Sequence, residues 1–177
     1  MSVFPEDAEL FSGLRCVAAD DVPEPYRTLL VHEEHMTVTL ETFHRRPVCL
    51  NVLDVRRREN DYARKLLLTA GEGGPIILAG IMRFRLEYAD DAVRDAIVAA
   101  RTPLGRLLVE NNVLRRIQTH EFLRVDLSRG LGARFQASDD SRYTYGRLAV
   151  IFCDERPAVE LLEVVAPEKE ISAKSEA

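Results

Sequence analysis

Charged side chains interrupt apolar runs at three places, and a charge held in an apolar setting must meet a partner. Arg64 and Lys65 fall inside the run at residues 62–68. With the period of two that a strand imposes, Tyr62, Arg64 and Leu66 share one face, and Ala63, Lys65 and Leu67 share the other. If one face is buried, one of the two cations points inward. A buried guanidinium without an anion costs on the order of several kcal/mol. Its partner is either an internal Asp or Glu or the carboxylate of a bound molecule, which arginine grips through a planar two-point fork. Glu163 sits in the apolar run at residues 161–166, where it suits an acid, a base or a hydroxyl acceptor, and equally the ionic partner of Arg64. Arg147, inside residues 143–152, is the third group of this kind.

Other chemistries lack their residues. There is no GxSxG, no CxxC, no HExxH and no GxGxxG, and the glycine-rich stretch at 71–74 has no Walker pattern. Cys16, Cys49 and Cys153 are odd in number and far apart, which reads as reduced buried thiols. His32, His35, His44 and His120 do not stand at zinc-ligand spacing beside them and read as surface residues. No metal site and no cofactor is expected.

The elements that must position these groups follow from periodicity. Tyr26, Leu29 and Leu30 predict a short helix within residues 25–33. Met36, Val38 and Leu40 alternate with polar residues and predict a strand, paired as a hairpin with a second strand at Val48, Leu50 and Val52. Residues 56–60 read as a charged loop. Strands are expected at 61–69 and 75–84, joined by a turn at 71–74. Helices are expected at 89–100 and 104–111, the second opened by Pro103. A long bent strand at 113–127, a mobile loop at 128–141, and a final hairpin of 142–153 with 158–165 complete the chain. Hairpin connections dominate, so the fold class is α+β, a single antiparallel sheet covered by a few helices. One domain spans residues 1–166, with a disordered tail at 167–177.

With 177 residues the chain suits one domain that needs no staple. The net charge of −5 disfavours nucleic acid as a partner. Arginine outnumbers lysine 21 to 3, so an anion would be held in a local arginine pocket against the overall field. No apolar run approaches the roughly 20 residues of a membrane span. The acidic N-terminus is unlike a signal peptide, so a cytoplasmic location is expected. No heptad or long apolar patch declares an oligomeric interface.

Four stretches in order carry a resemblance: His35-Met36-Thr37, then Tyr62-Ala63-Arg64-Lys65-Leu66-Leu67-Leu68, then Thr102-Pro103-Leu104-Gly105-Arg106-Leu107-Leu108, then Leu161-Leu162-Glu163-Val164-Val165-Ala166-Pro167. Together they resemble the chorismate lyase family, over residues 20 to 167. The resemblance implies an antiparallel sheet with an enclosed ligand site. It also implies a carbon–oxygen lyase that eliminates pyruvate from chorismate to give 4-hydroxybenzoate without cofactor or metal. By that resemblance Met36 and Leu104 contact the ligand, Arg64 pairs with the ring carboxylate, and Glu163 meets the ring hydroxyl. Arg64 and Glu163 are then the catalytic pair. Chorismate has two carboxylates, and Arg147 is the candidate for the second. The chain departs from the family at residues 128–145.

Two alternatives stand beside this expectation. One is a lyase-like enzyme acting on a related cyclohexadiene carboxylate. The other is a non-catalytic small-molecule-sensing domain of the same general fold, as transcription regulators contain. Such a domain normally follows a basic helix-turn-helix, whereas the 20 or so residues before the first unit here are acidic.

Overall fold

Tight turns dictate the topology. Gly71 and Gly73 take positive φ in the turn after Ala70, a conformation that costs glycine no steric penalty, and the chain reverses there into the next strand. In the computed structural model, which describes residues 13–113 and 115–168, seven strands form one sheet. They are β1 (Leu14–Val17), β2 (Val48–Arg58), β3 (Asp61–Ala70), β4 (Ile76–Arg85), β5 (Arg115–Asp126), β6 (Tyr143–Cys153) and β7 (Arg156–Val165). The spatial order is β1-β5-β6-β7-β4-β3-β2, and every pairing is antiparallel. Two meanders, β2-β3-β4 and β5-β6-β7, thus join where β4 meets β7. The expected fold class holds.

Among the described residues five α-helices accompany the sheet: α1 (Tyr26–Leu30), α2 (Met36–His44), α3 (Asp91–Ala99), α4 (Leu104–Glu110) and α5 (Arg129–Phe135). One sheet face packs against α1 and α2 around Leu29, Leu30, Met36, Leu40, Leu68, Leu78 and Val165. Further along the same face, α3 and α4 pack over Tyr62, Met82, Phe84, Ala149 and Val159. On the other face Leu131 and Phe135 of α5 cover Leu67, Ala79, Leu123 and Val164. Among the described residues no helix is long and apolar enough to cross a membrane.

Several elements differ from the sequence reading. The strand expected from Met36 is the helix α2, and no hairpin with residues 48–52 forms; β2 pairs with β3 instead. Met36, Thr37 and Leu40 are buried, a helical set, while Val38 is 44% exposed. Met36 and Leu40 fit either period, and only Val38 argued for the strand. The charged stretch at 56–60 is mostly strand, since β2 runs through Arg58 and only Glu59 and Asn60 turn. The loop expected at 128–141 contains α5. The Ser128 hydroxyl caps it by accepting from the Leu131 N–H, and Leu131 and Phe135, four apart, form its buried stripe. The expected tail begins at Pro167, and its residues 169–177 lie outside the described residues.

Candidate ligand-binding site

The period-two reading of β3 is correct in register. Arg64 lies opposite Met82, Leu66 opposite Gly80, and Leu68 opposite Leu78, all on the face that the helices cover. Across the next two ladders Gly80 lies opposite Glu163, and Glu163 opposite Arg147. One row therefore runs Leu66, Gly80, Glu163, Arg147 across four strands. At about 4.8 Å per strand, with Arg64 two residues along β3, the Arg64 and Arg147 backbones lie roughly 15 Å apart.

Between them is a cavity of about 50 Å³. Arg64, Gly80, Met82, Arg147, Leu161 and Glu163 contribute from the sheet. His35, Met36 and Thr37 at the start of α2, and Pro103, Leu104 and Gly105 at the start of α4, contribute from the helices. All five residues singled out from the sequence (Met36, Arg64, Leu104, Arg147 and Glu163) are thus brought to one cavity. Gly80 forms part of the floor. Every neighbour in its row carries a long side chain, and its lack of one leaves the middle of the row open, a common sign of close approach by a ligand.

The two arginines differ in what they hold. Arg147 is 1% exposed and most of its donors are committed. Its Nε donates to Glu163 Oε2 at 2.7 Å. Its terminal nitrogens donate to the carbonyls of Leu30, His32 and Glu34 at 3.3, 3.1 and 3.4 Å. One guanidinium thereby pins the link between α1 and α2. Arg64 is also 1% exposed, and its Nε meets no partner among the described residues. Glu163 is the partner of Arg147, not of Arg64, which settles the alternative left open by the sequence. Burial lowers the Arg64 pKa from the ordinary arginine value, and the neighbouring Tyr62 opposes that shift. The Tyr62 hydroxyl acts on Arg64 by charge and by hydrogen bonding, although it is buried with no well-aligned partner among the described residues. Arginine keeps its proton in proteins, so Arg64 is a buried positive charge that makes no ion pair with a carboxylate among the described residues.

His35 escaped the sequence reading as a site residue. Expected at the surface, it is 8% exposed, and its Nε2 accepts a hydrogen bond from Arg115 Nε. Accepting there fixes the ring as the neutral Nδ1–H tautomer. Burial first, then Arg115 and Arg147, push its pKa down to about 4. The tight fit of its ring over Gly105 is the signal that sequence alone does not carry: a Cβ on Gly105 would stand 3.1 Å from it. His32 is half-buried rather than exposed, and burial and Arg147 lower its pKa. Its Nε2 lies 2.7 Å from the Leu29 carbonyl. Of the cysteines only Cys153 is buried; Cys16 is exposed and Cys49 intermediate, because both lie on short or edge strands. Among the described residues no cluster of three or more His, Cys, Asp or Glu is arranged to hold a metal.

No protein-family model matches the chain, and no curated protein matches it in sequence. Solved structures do match in fold. PhnF from Mycobacterium smegmatis superposes with a TM-score of 0.55 at 8% identity, covering 80% of this chain and 67% of that one. A ligand-binding domain assigned to a GntR-family transcriptional regulator from Bordetella bronchiseptica superposes with a TM-score of 0.51 at 11% identity, covering 70% of this chain and 88% of that one. The fold is the chorismate lyase-like fold that regulator ligand-binding domains share. This corrects the expectation of an enzyme. The carbon–oxygen lyase reading rested on resemblance, and a structure found to share the fold is a regulator's ligand-binding domain, so the resemblance in fold no longer argues for catalysis.

Proposed function

We propose that this domain binds a small organic monoanion at Arg64 and acts as a ligand-sensing module, not as a catalyst. The observation that carries the reading is Arg64 itself, a buried guanidinium with no ion pair among the described residues and an Nε without a hydrogen bond, beside a cavity whose other cation is held by Glu163. An anion from outside is the partner that relieves it. Arg64 and Arg147 set against Glu163, with His35 neutral, leave one net positive charge around the cavity, so a monoanion suits it better than a dianion such as chorismate.

The rest of the ligand follows from the lining. Met36, Leu66, Leu104 and Leu161 favour a flat apolar body lying over Gly80. Glu163 uses Oε2 on Arg147, and Oε1 is an acceptor suited to a hydroxyl or N–H at the far end of the ligand. An aromatic carboxylic acid with a donor opposite its carboxylate, such as 4-hydroxybenzoate, meets all three conditions. The fold shared with a regulator's ligand-binding domain supports sensing as the purpose of binding.

The test is thermal stabilisation by matched probes. 4-Hydroxybenzoate is expected to raise Tm by binding only the folded state. Benzoate, without the hydroxyl, should raise it less, and uncharged 4-hydroxybenzamide should not raise it. Equal shifts by the acid and the amide would overturn the reading.

A further inference from the structure

The cavity at Arg64 has a neighbour. A second, open cleft of about 720 Å³ is lined by Glu33, Glu34, Val38, Asn112, Arg115 and Arg116, among others. Two residues belong to the walls of both spaces, His35 and Ile117. Ile117 is fixed in β5, paired with Ile151. His35 is held differently. It is the N-cap residue of α2, at the end of the link that follows α1, and its backbone is extended rather than helical. Its ring lies against Gly105 of α4, where a Cβ would come within 3.1 Å of it. On the outer side one hydrogen bond from Arg115 fastens it, and Arg115 is itself steadied by the Val113 carbonyl at 3.1 Å.

The inner cavity is too small to accept an aromatic acid as it stands. At about 50 Å³ it offers room for a few water molecules, each of which needs about 10–15 Å³ by the same measure. A ligand therefore reaches Arg64 only if part of the wall moves. Of the two wall residues shared with the open cleft, the strand residue is held in the β5–β6 ladder opposite Ile151, and the histidine is a rotor on a helix end.

We infer that the His35 imidazole is the door between the outer cleft and the inner cavity, and that Arg115 is its latch. When the ring swings off Gly105 the two spaces join, and an anion drawn into the cleft past Arg115 and Arg116 passes to Arg64. When it swings back, the hydrogen bond to Arg115 reforms and closes the site over the ligand. Gly105 lets the closed ring seat this closely, since a Cβ there would stand 3.1 Å from it and push it outward by a few tenths of an ångström. The door rests on the reading of the inner cavity as a ligand site, yet access to that cavity can be measured without any ligand.

The experiment uses the full chain carrying Cys16→Ser and Cys49→Ser, with Leu66→Cys as a thiol in the inner cavity. Cys153, buried in the adjoining core, remains as an internal reporter of global opening. Methyl methanethiosulfonate labelling is followed by mass spectrometry. Adding His35→Ala is expected to speed labelling at position 66 by about ten-fold or more, and Arg115→Gln to speed it by a smaller factor, with Cys153 unchanged. Equal rates at position 66 in all three proteins, or a rise that Cys153 matches, would overturn the door. In a second arm, 4-hydroxybenzoate exchange is measured by NMR. His35→Ala should raise the association and dissociation rates together and leave Kd nearly unchanged. A changed Kd carried by the dissociation rate alone, with the association rate unchanged, would make His35 a contact residue and overturn the inference. Failure of 4-hydroxybenzoate to bind the unmodified chain at millimolar concentration would count against the ligand reading alone, and the labelling arm would still decide the door.

Discussion

Arg147 and Glu163 stand directly opposite one another in the β6–β7 ladder, and their side chains meet at 2.7 Å in a nearly dry setting. The same guanidinium gathers three carbonyls from the α1–α2 link. This buried pair is therefore structural on one side and exposed to the cavity on the other. It braces the segment that carries His35 and Met36 and lines the cavity with the Glu163 carboxylate.

Breaking that pair should cost the fold dearly. Glu163→Ala leaves Arg147 buried and uncompensated, and the expected loss is about 3–5 kcal/mol of unfolding free energy. Glu163→Gln keeps an acceptor for the Arg147 Nε and should cost clearly less. Urea denaturation of the two variants checks this, and equal losses would mean that the charge pairing contributes nothing beyond the hydrogen bond.

Gly80→Ala addresses the floor of the cavity. The added Cβ would sit 3.1 Å from the Leu162 carbonyl oxygen and 3.3 Å from a Leu78 methyl group, so backbone must yield by a few tenths of an ångström. The expected stability cost is about 1–2 kcal/mol. Binding of 4-hydroxybenzoate should fall by about ten-fold or more, since the methyl fills the space over which the ring would lie. Unchanged affinity in calorimetry would place the ligand elsewhere.

The neutral His35 predicts an acid-side loss of stability. Above pH 6.5 the ring is uncharged in both folded and unfolded chains and adds no pH dependence. As pH falls from 6.5 toward about 4, the unfolded chain takes up a proton that the folded chain resists, so stability declines through that window. His35→Gln can still accept from Arg115 and has no such proton. Its Tm should therefore fall less steeply than that of the unmodified chain between pH 6.5 and 4. Parallel Tm curves would contradict the assignment.

Chorismate should survive incubation with the protein. Its two carboxylates require two available cations, and Arg147 is already occupied. A lactate dehydrogenase-coupled assay should detect no pyruvate above the spontaneous rate, with or without Glu163. Release that depends on the protein would restore the catalytic expectation.

How much of this was legible beforehand depended on the length of each periodic run. β3 was readable because ten residues fixed its register, and one of Arg64 and Lys65 then had to face inward once one side was buried; only the resemblance chose Arg64. The gathering of Met36, Leu104 and Glu163 was legible only through resemblance, since the pieces lie far apart in the chain. The α2 helix was misread because a window of six residues satisfies both periods, and tertiary burial of Thr37 decides between them. α5 was missed because its glycines outweighed the Ser128 cap. The role of Arg147 was hidden because its partners are backbone carbonyls of a distant segment, which leave no side-chain signature in sequence.

The most direct test of the account is calorimetric titration of 4-hydroxybenzoate into Arg64→Ala, Arg64→Lys and Lys65→Ala. Arg64 faces the cavity and Lys65 lies on the opposite face of the same strand. Arg64→Ala should cost about 2–5 kcal/mol of binding, about thirty-fold or more in Kd. Arg64→Lys should also bind poorly, because an ammonium lacks the two-point fork. Lys65→Ala should leave Kd within about two-fold. Binding that survives Arg64→Ala and fails in Lys65→Ala would contradict the site, and with it the proposal that a buried, unpaired arginine is this domain's anion receptor.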